Sequence, residues 1–198
     1  MCQTALVSAQ VPTDESVTKK YEWQLARDKN DIQIYTRKVD GAKLKEYKAT
    51  MEIHSTSDDV LHAITEVKDY TQWMHQMAEA RILRSSANEL ELYCLQSAPW
   101  PAKDRDIYSV LTIHHLSAGI IRVDMRASQD ESPIQKGRVR VPEIDGYWLI
   151  EPLVDGRVRV TQQLLAHPGG SLPEWLANAV VTDNPYHSFT NLREWLKV

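Results

Sequence analysis

The side chains that most often take part in catalysis or metal binding are scattered along this chain. Its seven histidines include no His-Glu-x-x-His pair and no other metal-ligand spacing. His114 and His115 are adjacent on a predicted strand, so they must point to opposite faces. No Gly-x-Ser-x-Gly elbow and no glycine-rich phosphate loop occurs. We therefore expect no catalytic residue, no bound metal and no cofactor, and we expect Cys94 to be a buried, unreactive thiol.

An Arg-Asp pair and a single aspartate are nevertheless candidates for holding a ligand. Arg105-Asp106 is either a ligand anchor or, as the simpler interpretation, a structural ion pair at the start of a strand. Asp183 lies within about 20° of Leu172 on the predicted last helix, where a carboxylate is costly unless it is paired or hydrated. It marks either an exposed bend before Pro185 or a polar anchor that faces a cavity.

The composition is that of a soluble globular protein. Of the 198 residues, 42% are hydrophobic and 25% are charged, and the formal net charge is −4. That charge argues against a nucleic-acid-binding surface, so we expect no nucleic-acid partner. No run reaches the roughly 18 apolar residues of a membrane span. The two cysteines, Cys2 and Cys94, imply no disulfide framework.

The first residues leave the compartment open. We interpret residues 1–18 as an N-terminal tail and residues 19–198 as one domain. Residues 5–10 resemble the small-residue end of a secretory signal, but the basic and apolar regions that should precede it are missing. The chain is therefore either cytoplasmic or, if a leader was removed, periplasmic or secreted.

The residue pattern predicts strands, a short helix, a long antiparallel meander and one long C-terminal helix. Ser171 and Glu174 have the spacing of a capping box. Leu172, Trp175, Leu176, Ala179, Tyr186 and Thr190 fall on one face of the helix that follows, while Val181 points elsewhere. This layout is α+β, with a curved antiparallel sheet around a terminal helix. On the strands, Ser109, Gln96 and Gln162 share the parity of the apolar, inward-facing residues.

Three motifs resemble the StAR-related lipid-transfer (START) domain family. They are Trp100-Pro101-x-x-x-Arg105-Asp106, then Gly146-Tyr147-Trp148-Leu149-Ile150-Glu151-Pro152, and then the run from His167 to Asn178 that leads into the last helix. They occur in the order of the family, and the resemblance covers roughly residues 19 to 198. The resemblance implies a helix-grip fold that encloses a cavity for one lipid or other hydrophobic molecule.

From this resemblance we expect a non-catalytic carrier or sensor of a hydrophobic small molecule. We expect it to be a monomer that makes transient contact with membranes. The alternative is an enzyme that uses the same cavity, such as a polyketide-type aromatase/cyclase. The candidate ligand-binding residues are Trp73, Leu92, Cys94, Ser109, Leu111, Met125, Val139, Trp148, Leu164, Leu176, Ala179, Val180 and Asp183.

Two finer expectations concern the ligand and its exchange. In sterol-binding members of the family, a buried arginine stands six residues beyond the arginine of the Arg-Asp pair, and here that position is Leu111. We therefore expect sterols not to be the preferred ligand. No choline cage can be assigned, although Trp73, Trp100 and Trp148 are available for cation–π contacts. We also expect Gly169-Gly170 and the terminal helix to act as a gate, because glycine turns are natural hinges.

Overall fold

A computed structural model of the chain describes residues 21–129 and 134–197. The helices in these residues are α1 (Ser57–Thr65), α2 (Tyr70–Trp73) and α3 (Glu174–Trp195), with short 3-10 turns at Val67–Asp69 and Ser117–Gly119. The strands are β1 (Gln24–Lys29), β2 (Ile32–Arg37), β3 (Glu46–Ile53), β4 (Met77–Ser85), β5 (Glu89–Gln96), β6 (Asp104–His115), β7 (Ile121–Ala127), β8 (Arg138–Arg140), β9 (Glu143–Pro152) and β10 (Val158–His167). The predicted tail at residues 1–18 lies outside this range.

These strands form one sheet in the order β1-β2-β3-β10-β9-β7-β6-β5-β4, in which all neighbours are antiparallel. Strand β8 is added beside the first residues of β6 and runs parallel to it. The α+β helix-grip arrangement predicted from the sequence is confirmed, because α3 packs against β2, β3 and α2. No helix among the described residues has the length and apolar character that a membrane crossing requires.

Alternation along the strands creates the buried face of the sheet. On β7, Ile121 and Val123 are buried, whereas Arg122 and Asp124, which alternate with them, are partly exposed. The next strands continue this layer through register pairs such as Val123 with Trp148 and Trp148 with Gln162. One face of the sheet therefore meets water and the other meets α3.

The start of α3 differs from the prediction. The helix begins at Glu174 with Pro173 as its N-cap residue, and no side chain caps it, so the capping box of Ser171 and Glu174 is wrong. A residue that precedes proline is disfavoured in the helical conformation, and this keeps Leu172 outside the helix. The carbonyl of Pro173 accepts the first hydrogen bonds, from the backbone N–H groups of Leu176 and Ala177.

The buried face of α3 also differs in part. Leu176 and Tyr186 are buried as predicted, but Trp175 is 54% exposed and Val181 is 4% exposed. The helix is continuous through Pro185. Its buried residues Val181, Pro185, Phe189 and Leu192 follow a spacing of three and four, which is the spacing of helix side chains that pack on one surface.

Candidate ligand-binding cavity

A cavity of about 190 Å³ lies between α3 and the sheet. Strands β3 to β7, β9 and β10 supply one wall, and the turn after α2 and one side of α3 supply the other. The apolar side chains on the wall include Leu92, Cys94, Ile107, Leu111, Met125, Ile144, Leu164, Leu172, Leu176 and Val180. A space with such a lining suits an apolar molecule, because each apolar contact removes hydrocarbon surface from water.

Most of the residues predicted to bind a ligand lie on this wall. They are Trp73, Leu92, Cys94, Ser109, Leu111, Met125, Trp148, Leu164, Leu176 and Val180. The inward parity of Ser109, Gln96 and Gln162 places all three there as well. That these side chains contact a ligand remains a prediction. Val139, Ala179 and Asp183 are not part of the wall.

The geometry of α3 explains why Ala179 and Asp183 are absent. Apart from Pro185, the residues that α3 and the segment before it contribute to the wall are Leu172, Leu176, Val180, Asn184 and Ser188. This is a row of every fourth residue, and such rows cross a helix obliquely instead of running along its axis. A prediction that assumes a stripe parallel to the axis therefore includes residues that the oblique row leaves out.

Val139 has a different neighbour. It lies on β8, beside the loop that leads into α3, where a β-carbon placed on Gly169 would lie 2.8 Å from Val139 Cγ1. Val139 therefore packs against the loop at Gly169 and not against the cavity.

Asp183 forms an ion pair on the outer side of α3. Its Oδ1 lies 2.5 Å from Nη2 of Arg27 on β1. The guanidinium carbon of Arg27 also lies 4.7 Å from the ring centre of Tyr186. Neither sequence interpretation describes this arrangement, because the helix neither breaks at Asp183 nor turns that carboxylate toward the cavity.

Four aromatic rings form a contact chain next to the cavity. Trp73 meets Tyr70 and Trp148 edge-to-face, with ring centres 5.5 Å and 6.1 Å apart, and Trp148 stacks on Phe189 at 5.6 Å. The ring faces of Trp148 and Phe189 are thus partly occupied by each other, and Trp100 is 90% exposed on the loop after β5. These tryptophans do not come together as a cage for a cation.

Several polar groups interrupt the apolar wall. The Tyr47 hydroxyl donates to Gln162 Oε1 at 2.9 Å, and both side chains face the cavity. The indole N–H of Trp73 has no hydrogen-bond partner within the described residues. The Ser109 hydroxyl, on a residue only 4% exposed, likewise forms no hydrogen bond there. A bound molecule with an oxygen acceptor could satisfy these donors.

Arg105 and Asp106 do not form the predicted ion pair. Successive side chains on a strand point to opposite faces, so Asp106 turns outward and lies 3.4 Å from Arg140 on β8. Arg105 turns inward, where it is 8% exposed and lies on the cavity wall. The parallel pairing of β8 with β6, which places Arg140 beside Asp106, has no local signal in the sequence.

Burial keeps the thiol and the two phenols on the wall protonated, whereas it favours the neutral form of the wall histidine. Burial raises the pKa of Cys94 to about 12, and burial also raises the pKa of Tyr47 and Tyr70 well above the ordinary tyrosine range. Burial lowers the pKa of His75, with a further lowering by His187 and an opposing effect of Asp183. Within residues 21–129 and 134–197, no cluster of three or more His, Cys, Asp or Glu side chains could hold a metal ion.

The sequence did not point to every wall residue. His75 and Gln76 lie in the turn after α2, and Asn184 and Ser188 lie on the oblique row of α3. The backbone N–H of His75 donates to Ser188 Oγ at 3.0 Å, which ties the turn to the helix. A search at four-residue spacing from Leu172 would have found the two helix positions, whereas the turn has no periodic signal.

Comparison with known proteins agrees with this architecture. The family model of the START domain matches residues 5–195. The match therefore begins within the segment that the sequence pattern assigns to a tail. An uncharacterized protein of Pseudomonas aeruginosa, PA1579, is 31% identical over 172 residues, which cover 87% of this chain and 85% of that protein.

Solved structures show the same fold. A fragment of a STAR-related lipid transfer protein from Xanthomonas axonopodis superposes with a TM-score of 0.82 at 36% identity, over 89% of this chain and 99% of that chain. Human StAR-related lipid transfer protein 5 superposes with a TM-score of 0.80 at 16% identity, over 88% of this chain and 86% of that chain, and that likeness concerns the fold alone.

Proposed function

The chain belongs to the START domain family, and from this premise we propose that it binds one lipid or other hydrophobic molecule in its cavity and carries or senses it unchanged. The observation that supports this most directly is the wall, in which apolar side chains from the sheet and α3 line a space of about 190 Å³. A carrier needs a matching shape, apolar area and a few polar anchors, and Ser109, Gln162 and Trp73 supply such anchors.

An enzyme of the aromatase/cyclase type would need more from the same wall. General acid–base catalysis requires a group that exchanges a proton near neutral pH within reach of the substrate. The described wall contains no Asp, Glu or Lys, and burial keeps Tyr47, Tyr70 and Cys94 protonated. His75 is the one wall residue that could exchange a proton near neutral pH, and the described wall offers no carboxylate or lysine as its catalytic partner. These properties favour the carrier.

A sterol is not the ligand that this wall favours. Leu111 is 1% exposed and lies on the wall, paired across the strands with Leu90 and Met125. Apolar side chains at this level would leave a buried sterol hydroxyl without a partner, which costs about 1–3 kcal/mol. In direct competition we expect a fatty acid or phospholipid to outcompete a sterol, and a tenfold preference for the sterol would contradict this.

The exchange of a water-insoluble ligand calls for contact with a membrane, which we expect the protein to make as a monomer. Trp100 is 90% exposed on the loop after β5, and Trp175 is 54% exposed in the first turn of α3. Each tryptophan is close in sequence to a residue of the cavity wall. Trp100 lies two positions after Ala98, and Trp175 directly precedes Leu176. Tryptophan favours the boundary between lipid and water.

Co-sedimentation with phosphatidylcholine vesicles tests the membrane contact. We expect Trp100→Ala and Trp175→Ala to reduce the bound fraction. Trp195→Ala is the matched control, because Trp195 is an exposed tryptophan at the other end of α3. If all three variants sediment like the unmodified protein, the surface around Trp100 does not bind membranes.

Native mass spectrometry followed by organic extraction tests the carrier function itself. We expect either a copurifying small molecule or saturable one-to-one binding in titrations with fluorescent fatty acids, phospholipids and sterols. A protein that yields no extracted molecule and binds no member of the panel would not be a carrier. Chemical conversion of the bound molecule would instead support the enzyme.

A further inference from the structure

Arg105 is the charged residue that the cavity encloses. It lies at the start of β6, it is 8% exposed, and it is the one arginine, lysine, aspartate or glutamate on the wall formed by the described residues. Such a side chain is rarely buried without a compensating charge. Its surroundings therefore indicate what the cavity is built to hold.

The charge of Arg105 has no partner of opposite sign in the described part of the chain. Its Nε donates to the carbonyl oxygen of Pro168 at 3.2 Å, and its Nη1 donates to the carbonyl of Lys103. Its Nη2 forms no hydrogen bond within residues 21–129 and 134–197. Backbone carbonyls orient the guanidinium without neutralising it.

The nearby carboxylates are occupied elsewhere. Asp106 lies 3.4 Å from Arg140, and Asp104 accepts a hydrogen bond from the backbone N–H of Ala98 at 3.0 Å. Burial lowers the pKa of Arg105, an effect that Asp104 opposes in part. The guanidinium is thus a buried cation, and an anionic group of a ligand would neutralise its charge.

Two further donors lie beside Arg105. Gln96 is the direct partner of Arg105 in the pairing of β5 with β6, and Ser97 is the next residue after Gln96. Both residues lie on the cavity wall, and their side chains form no hydrogen bond within the described residues. Side chains directly opposite each other on antiparallel strands are close enough to share one bound group. Beyond these residues the wall becomes apolar at Ile107 and Leu172.

We propose that Arg105, with Gln96 and Ser97, binds the anionic head of an amphiphile whose hydrocarbon part fills the rest of the cavity. The head is a carboxylate or a phosphate, because the planar guanidinium matches two oxygen acceptors of either group. This proposal rests on the carrier function and adds the charge of its ligand. An anchor at Asp183, the alternative to an exposed bend, would instead have suited a polar or cationic group.

Three molecules with the same hydrocarbon chain test the proposal on the 198-residue protein. They are hexadecanoic acid, hexadecanol and monohexadecyl phosphate, each titrated against a fluorescent apolar probe bound in the cavity. We expect at least one of the two acids to bind at least about tenfold more tightly than the alcohol, and the acid that binds more tightly identifies carboxylate or phosphate as the head. Equal affinity for the alcohol and both acids would overturn the proposal.

Substitution of the arginine assigns the preference to its position. We expect Arg105→Gln to remove the preference for the acid while it leaves the affinity for hexadecanol within about threefold of the unmodified protein. Arg105→Lys keeps the charge and should retain part of the preference, so it provides a second test if the glutamine variant does not fold. Arg84→Gln is the matched control, because Arg84 is an exposed arginine of β4.

The outcomes of these experiments distinguish the carrier function from the anionic subsite proposed within it. Binding of all three molecules with equal affinity would leave the carrier function intact and remove the anionic subsite. An acid preference that survives in a folded Arg105→Gln variant would place the subsite elsewhere. Failure of all three molecules and of the probe to bind would contradict the carrier function itself.

Discussion

Asp183 Oδ1 on α3 lies 2.5 Å from Arg27 Nη2 on β1, so this carboxylate joins the terminal helix to the first strand and does not face the cavity. The two residues are 156 positions apart in the chain. The side chains of Arg27 and Asp183 are 31% and 43% exposed, respectively. Pairs that are this accessible to water contribute about 0–1 kcal/mol to stability.

We therefore predict that Asp183→Asn leaves ligand affinity unchanged and lowers the free energy of unfolding by at most about 1 kcal/mol. Denaturant unfolding and ligand titration measure the two quantities. A double-mutant cycle with Arg27→Gln should assign the loss to this pair. A loss of affinity of tenfold or more in a stable variant would show instead that Asp183 contacts the ligand.

A second prediction concerns Gly169, whose φ of 63° lies in the left-handed region. A β-carbon there would lie 2.1 Å from the carbonyl oxygen of Arg140, which belongs to the backbone of β8. We predict that Gly169→Ala destabilises the protein by more than the 1–2 kcal/mol that left-handed backbone costs an ordinary residue, because the strand must also move. Thermal or denaturant unfolding measures the loss.

Gly41→Ala is the matched control for Gly169, since Gly41 has a φ of 76° and no atom within 4 Å of an added β-carbon. Equal losses at both positions would show that the contact with β8 is unimportant. The proposed hinge is better tested at Gly170, where an added β-carbon would meet Val139 at an ordinary 3.6 Å. A hinge there should slow ligand exchange in Gly170→Ala more than it changes affinity.

The third prediction uses the Cys94 thiol as a reporter of the cavity. Burial raises its pKa from 9.0 to about 12, so at neutral pH the folded protein holds about a thousandfold less thiolate than an unburied cysteine. In a Cys2→Ser background we predict very slow alkylation by iodoacetamide, with a further decrease when ligand is bound. Complete labelling of the folded protein within minutes would contradict the enclosed position of Cys94.

The fourth prediction is a loss of stability in mild acid that His75 causes in part. Burial, followed by the nearby His187, lowers the pKa of His75, and Asp183 only partly opposes this effect. The unfolded chain therefore binds a proton at a higher pH than the folded chain does. As the pH falls below about 6.5, the unfolded state gains protons first and the free energy of unfolding decreases.

Unfolding curves between about pH 7 and pH 5.5 test this prediction. The His75→Gln variant should show a smaller decrease in stability over that range than the unmodified protein, because its position no longer titrates. His115→Gln is the control, since His115 is an exposed histidine at the end of β6. Identical pH dependence in the His75 variant and the unmodified protein would exclude a contribution of His75.

The features that the sequence predicts correctly are those that short-range patterns control. Alternation of apolar and polar residues places Ser109, Leu111 and Gln162 on the inner face, and the structure has them on the cavity wall. The family motifs predict the helix-grip fold, and the match of the START domain model to residues 5–195 shows that the chain belongs to this family. A strand has two faces, so one well-placed buried residue determines the orientation of the others.

The features that require the tertiary structure are partners that are distant in the chain. Only the packed molecule shows that Asp183 meets Arg27 and that β8 brings Arg140 to Asp106, which leaves Arg105 in the cavity without a counter-ion among the described residues. Many partners are compatible with one charged residue in the sequence, because an ion pair depends on which surfaces pack together and not on local spacing.

The helix shows the same division. The sequence by itself locates α3 and its apolar character, since both follow from the identity of neighbouring residues. Which row of α3 faces the cavity depends on the angle at which the helix crosses the sheet, and that angle is decided by packing on β2 and β3. Asp183 is left off the wall and Asn184 is placed on it for that reason.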